Sequence, residues 1–220
     1  MASKNAQELI EKAEVIGISG GRTLREFIKY LCRSTTIKLK QIIQLMGNVA
    51  PDVADYDAAE LGRLLASNTG ATLYSINAPA ITKDKKVRDT FIKHEQVTAV
   101  WDLFQKIDIA FVGIGTLKDS VFIERKILNE KDIKKLKEKG AVGEICGRFF
   151  DKKGKEPLTS FRDRVISINL EKLKKIPLVI GVTCGRGRSA SVIAAAKGGI
   201  VNGLIMDHIC AEEIISELRK

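Results

Sequence analysis

Three short segments carry residue types that bind anions. The first, Gly17–Leu24, reads GISGGRTL. Gly20 and Gly21 allow a sharp turn that brings bare backbone N–H groups near a ligand, and a helix starting just after them offers its positive end to an anion. Arg22 adds a planar, permanently charged fork, and Thr23 a hydroxyl that caps the helix or donates to an oxygen. The second segment, Gly113–Thr116, reads GIGT and follows the most apolar run in the chain. The third, Cys184–Ser189, reads CGRGRS, with Arg186 and Arg188 opening a helix of small residues. A glycine pair after a strand also serves as a plain tight turn. Three loops of one kind, two with arginine just inside, weigh toward an anion site.

No segment is a GxxxxGK[ST] loop and none completes GxGxxG, so nucleoside triphosphate and dinucleotide chemistry are not expected. Glu144 lies in the apolar, glycine-rich stretch GAVGEICGRFF, where a carboxylate has to be paired, exposed or functional. Asp57 stands at a helix start, as a ligand contact or as a charge facing the helix dipole. Cys184 reads as a small packed residue rather than a nucleophile, because no histidine is placed to activate it. His94 decorates a helix start. The four cysteines, Cys32, Cys146, Cys184 and Cys210, show no CxxC spacing and no signal peptide precedes them, so reduced thiols are expected. With His94 and His208 the only histidines, no metal site and no cofactor are expected.

These loops need elements to hold them. Short aliphatic runs bounded by glycine or proline alternate with helical patterns, which is how a parallel sheet with crossover helices reads. The class is α/β, a doubly wound and mostly parallel sheet. Strands are expected at Val15–Ser19, Gln41–Leu45, Thr72–Ile76, Ile109–Ile114, Val165–Ile168, Leu178–Val182 and Gly203–Met206. Helices are expected at Thr23–Cys32, Ala54–Ser67, Val97–Gln105, Lys131–Lys139, Ser189–Lys197 and Ala211–Leu218. Between Gly140 and Asn169 the rhythm changes to glycine, Phe149 and Phe150 and a charged turn, a small inserted lobe. Residues 1–13 read as a linker helix with Leu9 and Ile10 as poor anchors, leaving 14–220 as one ligand-binding domain.

Composition agrees with a globular domain: 220 residues, 45% hydrophobic and 29% charged. The formal charge of +10 sits largely in lysine-rich helical stretches such as Lys131–Lys139, the pattern of a solvated helix face. No helix-turn-helix, zinc-finger or RNA-binding signature accompanies it. No apolar run approaches the ~20 residues of a membrane span, so a cytoplasmic protein without membrane contact is expected.

Taken in order, GISGGRTL, LMGN (Leu45–Asn48), DIAFVGIGT (Asp108–Thr116), GAVGEICGRFFDKKG (Gly140–Gly154) and IPLVIGVTCGRGRSASVIAAAKGGIVNGLIMD (Ile176–Asp207) resemble the sugar-binding domain of the SorC/DeoR-type bacterial transcriptional regulators. The resemblance runs from about Glu14 to Leu218, and GAVGEICGRFFD is its most specific piece. It implies a fold similar to ribose-phosphate isomerase, glucosamine-phosphate deaminase and the CoA transferases, with catalysis lost and a sugar-phosphate pocket kept. It implies a phosphate end at Gly20, Gly21, Arg22, Thr23, Gly185 and Arg188, and a sugar end at Gly47, Asp57, Gly113, Gly115, Thr116 and Glu144. Arg188 replaces the commoner lysine, Gly47–Asn48 a glycine pair, and Met206–His208 the usual Thr-Asp-Glu.

The resemblance further implies no catalytic residue, a homo-oligomer, and operator DNA as a partner only through an N-terminal helix-turn-helix that this chain lacks. The rival reading is an active isomerase or deaminase of the same fold, with Glu144 and Asp207 as candidate bases. A third is an assembly module without a ligand, against which the arginine-bearing loops argue.

Overall fold

The computed structural model describes residues 10–31 and 39–219. Helices are numbered here from the first that it describes. In chain order the elements are β1 (Val15–Ile18), α1 (Arg22–Leu31), β2 (Gln41–Gln44), α2 (Ala58–Thr69), β3 (Thr72–Tyr74), α3 (Lys85–Lys93), α4 (Glu95–Leu103) and β4 (Ile109–Gly113). There follow β5 (Gly115–Thr116), α5 (Val121–Glu124), α6 (Glu130–Glu138), β6 (Ala141–Ile145), β7 (Arg148–Asp151), α7 (Leu170–Leu173), β8 (Leu178–Thr183), α8 (Ser189–Lys197), β9 (Gly203–Met206) and α9 (His208–Leu218).

Six strands form one parallel sheet in the order β3-β2-β1-β4-β8-β9, so chain direction across the sheet reverses between β1 and β4. Alternate residues face opposite sides, as the two-residue period of a strand requires. Ile16, Ile18, Ile42, Ile109, Phe111, Ile180 and Val182 join Leu24 and Ile28 of α1 and Leu61 and Leu65 of α2 in one core. Ile43, Ala110, Val112 and Val179 face the other, with Val97 and Val100 of α4 and Val192 and Ala195 of α8. Burial on both faces explains the unbroken aliphatic runs.

β5, β6 and β7 make a small antiparallel sheet, the expected lobe. Cys146 and Gly147 form its two-residue turn with φ of 53° and 73°, the paired positive angles of a type I′ hairpin.

Three expectations are corrected. Val165–Ile168 is extended but joins neither sheet: Ile166 N–H donates to Ala80 O and Ile168 N–H to Leu45 O. Gly47 N–H donates to Ile166 O, and the Val165 and Ser167 carbonyls are claimed by a side chain. The buried Arg148 guanidinium donates to Val165 O and Ser167 O, to Arg162 O and to Ser167 Oγ, and pairs with Glu156 at 3.3 Å. Ala54–Asp57 is a turn rather than the first turn of α2, since the Asp57 carboxylate accepts from Ala54 N–H at 2.8 Å. Ile10 is no poor anchor, being fully buried in the core with Ala13 and Leu24. Leu9 and Cys32 lie outside the described residues.

α3 escaped the sequence reading because it buries no residue and carries only Val87, Phe91 and Ile92 as apolar side chains. It starts where Asp84 accepts from Val87 N–H at 2.9 Å.

Candidate functional site

In an open α/β sheet the crevice for ligands opens at the carboxyl ends of the strands where connection direction reverses. Here that point lies between β1 and β4. A pocket sits there, walled by Gly20–Leu24, Met46–Val49, Tyr56–Ala58, Gly113–Gly115, Glu144, Cys146 and Arg188, with Asp119, Val121 and Glu124 at one side.

Local packing dictates the loop after β1. Ser19 N–H donates to Phe111 O at 3.1 Å and Ser19 Oγ accepts from Gly113 N–H at 3.1 Å, tying the ends of β1 and β4 together. A Cβ on Gly20 would stand 3.0 Å from Tyr56 O and 3.1 Å from Ala58 N, so the bare backbone lets the chain pass the start of α2. Gly21 N–H donates to Tyr56 O at 2.8 Å. The next amides, of Arg22, Thr23 and Leu24, have no acceptor among the described residues and form the free N-terminus of α1. Thr23 Oγ1 lies 3.3 Å from Cys184 Sγ, joining this loop to the one after β8.

Both pocket arginines are engaged. Arg22 Nη1 donates to the two Glu124 carboxylate oxygens at 2.9 and 2.8 Å, with its guanidinium 5.9 Å from the Tyr56 ring centre. Arg188 donates from Nε to Cys184 O at 2.9 Å and from Nη1 to Ile114 O at 3.3 Å, with Asp119 Oδ2 3.7 Å from Nη2. Asp57 is buried and its Oδ2 lies 3.8 Å from Arg125 Nη1.

Glu144 differs from these acids. It pairs with Gly115 across the small sheet, and its Oε1 accepts from Gly147 N–H in the hairpin turn. Its Oε2 has no hydrogen-bond partner and no cation among the described residues. Burial pushes its pKa up to about 7, against the smaller opposing effect of the Gly147 amide. Beside it the Cys146 thiol is also driven up by burial, and further by the Glu144 charge.

Ten of the twelve expected site residues line this pocket: Gly20, Gly21, Arg22, Thr23, Gly47, Asp57, Gly113, Gly115, Glu144 and Arg188. Gly185 and Thr116 do not. Gly185 N–H is taken by the Asp207 carboxylate at 3.1 Å, and Gly187 N–H by Glu213 at 2.9 Å. Two amides of the CGRGRS loop are thus taken by the Asp207 and Glu213 side chains, and only Arg188 of that loop reaches the pocket. Thr116 Oγ1 turns away to Asp119, donating to its carboxylate at 3.2 Å and accepting from its amide at 3.1 Å. Of the two candidate bases, Asp207 is consumed as the cap of α9, accepting from Cys210 N–H at 3.0 Å, and lies outside the pocket. Those amide bonds hold its carboxyl below the usual range.

Sequence reading missed Tyr56, Asp119 and Glu124. Tyr56 stood beside Asp57 before a helix, a detectable signal; Asp119 and Glu124 lie in an ordinary charged stretch and reach the pocket only through the path of the chain after β5. Among the described residues no group of acidic, histidine and cysteine side chains is arranged to hold a metal ion, and no helix is long and apolar enough to cross a membrane.

Comparison with known proteins adds to this geometry. The Sugar-bind family model, which describes a sugar-binding domain, matches residues 1–216. The transcriptional regulator YjhU of Escherichia coli is 27% identical over 95% of this chain and 63% of its own length. The deoxyribonucleoside regulator of Bacillus subtilis is 25% identical over 96% of the chain and 67% of its own length. The chain therefore spans about two thirds of these curated relatives. A DeoR family transcriptional regulator from Listeria monocytogenes superposes with a TM-score of 0.87 at 28% identity, covering 97% of this chain and 84% of that one. The full-length sorbitol operon regulator SorC of Klebsiella pneumoniae, at 22% identity, shares the fold with a TM-score of 0.87 over 97% of this chain and 69% of its own.

Proposed function

This chain belongs to the sugar-binding domain family of the SorC/DeoR-type transcriptional regulators, and from that premise we propose that its pocket is the effector site for a phosphorylated sugar. The observation that carries the reading is the loop after β1, where the unbonded first-turn amides of α1, the Arg22 guanidinium and the Thr23 hydroxyl face one pocket at the switch point of the sheet. The phosphate sits on Gly20–Thr23 with Arg188 alongside. The sugar extends toward Glu144, whose uncommitted oxygen reads hydroxyl groups, and toward Asp57, Gly47, Gly113 and Gly115.

Occupancy of this pocket governs self-association, and through it operator binding by a helix-turn-helix outside this chain. The names of two relatives, a deoxyribonucleoside regulator and a sorbitol operon regulator, agree with a carbohydrate-derived effector. The protein acts as a sensor rather than a catalyst: Glu144 is the one former base candidate in the pocket and it lacks Asp207 as a partner. Sugar phosphates incubated with the protein and followed by NMR are expected to stay unchanged.

Charge-assisted hydrogen bonds contribute about 1.5–3 kcal/mol each, so removing the phosphate from a bound sugar is expected to weaken it by about two orders of magnitude. Arg22→Ala lowers affinity for all phosphorylated sugars alike. Calorimetric titration with matched free and phosphorylated sugars tests this. Equal affinity for a sugar and its phosphate refutes the anion anchor.

A further inference from the structure

One short segment, residues 119–125, reaches both pocket arginines and the loop after β2 through its charged side chains. Glu124 holds Arg22 with both carboxylate oxygens, and Asp119 lies 3.7 Å from Arg188. Arg125 of the same segment reaches the loop after β2, donating to Asp52 O at 3.3 Å and to the Tyr56 hydroxyl at 3.4 Å, with its guanidinium 5.4 Å from the Tyr56 ring centre. Phe122 is fully buried against the Phe161 ring and pins the middle of the segment. Its two carboxylates are exposed, the Asp119 and Glu124 side chains being 44% and 47% accessible, whereas Arg125 is 12% accessible.

From this arrangement we infer that Glu124 and Asp119 are internal stand-ins for the ligand's anion, affinity-setting residues that an anionic ligand must displace. The inference rests on the phosphate reading of the pocket. A phosphate arriving at Arg22 and Arg188 meets two carboxylates already seated there. Like charges at that separation repel, so phosphate and carboxylates do not share the arginines. Displacement frees the two carboxylates, and segment 119–125 turns about Phe122. That motion converts occupancy of the pocket into a change at the protein surface. A neutral sugar leaves both ion pairs in place and produces no such motion.

The test uses inorganic phosphate and glucose as probes, with the described chain and its Glu124→Gln, Asp119→Asn/Glu124→Gln and Arg22→Ala variants. An exposed pair of this kind is worth little, so Glu124→Gln is expected to tighten phosphate by about 2- to 5-fold, while glucose affinity is unchanged. Hydrogen exchange at the amides of residues 119–125 is expected to quicken when phosphate saturates the wild type, and to be fast without phosphate in the double variant. If Arg22→Ala weakens phosphate but Glu124→Gln leaves it unchanged or weaker, the displacement idea fails and the phosphate reading stands. Phosphate binding that ignores Arg22→Ala, or is absent from every protein, removes the phosphate reading and this inference with it. An equal gain for glucose, or segment exchange unmoved by phosphate, also overturns it.

Discussion

Replacing Glu144 with glutamine removes a carboxyl whose proton the fold retains. In the folded protein its pKa is pushed from 4.5 up to about 7 because burial disfavours the charged form and Gly147 N–H is its one donor. In the unfolded chain a glutamate titrates near 4.3. Between those values the folded state binds a proton that the unfolded state has lost, so rising pH favours unfolding. The contribution is fully present below about pH 4.3 and is lost as pH passes about 7. The whole displacement corresponds to about 4 kcal/mol. Glu144 is only half-buried by surface and keeps a face on the pocket, where solvent screens it, which brings the expected figure to about 2 kcal/mol. Urea unfolding of wild type and Glu144→Gln at intervals from pH 4.5 to 8 measures it. The stability difference between the two proteins should move by about 2 kcal/mol against the wild type as pH rises, or about 4–8 °C in Tm. Subtracting the variant removes the pH dependence that the two proteins share. Parallel curves for the two proteins would refute the assignment of a retained proton to Glu144.

Two further changes probe the lobe that holds Glu144. Gly143→Ala places a Cβ in clash with the edge of the Phe150 ring and 2.8 Å from Ser191 Cβ, so overpacking should cost about 1–3 kcal/mol in chemical unfolding. Arg148→Met strands the buried Glu156 carboxylate and the carbonyls of Val165 and Ser167. The expected loss is about 3 kcal/mol, toward the lower end for a broken buried pair because Arg162 still reaches Glu156 at 3.4 Å; unchanged stability would contradict the role given to Arg148.

Much of this protein was legible in its sequence because the legible features are local. Burial of strands on both faces forces unbroken aliphatic runs, and so β1, β4 and β8 could be read at Val15–Ile18, Ile109–Gly113 and Leu178–Thr183 within a residue or two. Glycines at strand ends marked the pocket, since at Gly20 and Gly47 a side chain would strike backbone atoms of another loop. The apolar setting of Glu144 announced a carboxyl in need of a reason.

Tertiary structure decided what depends on residues distant in the chain. Val165–Ile168 has the composition of a strand, yet Arg148, 17 residues before Val165, takes the carbonyls that a neighbouring strand would have bonded. Gly185 carries the residue type of an anion loop, but its amide is claimed by Asp207, 22 residues on. Arg22 looks like a free cation until the chain after β5 brings Glu124 to it from 102 residues away. A sequence fixes which groups want hydrogen bonds and counter-charges through local chemistry, whereas which partner satisfies each one is a matter of long-range geometry.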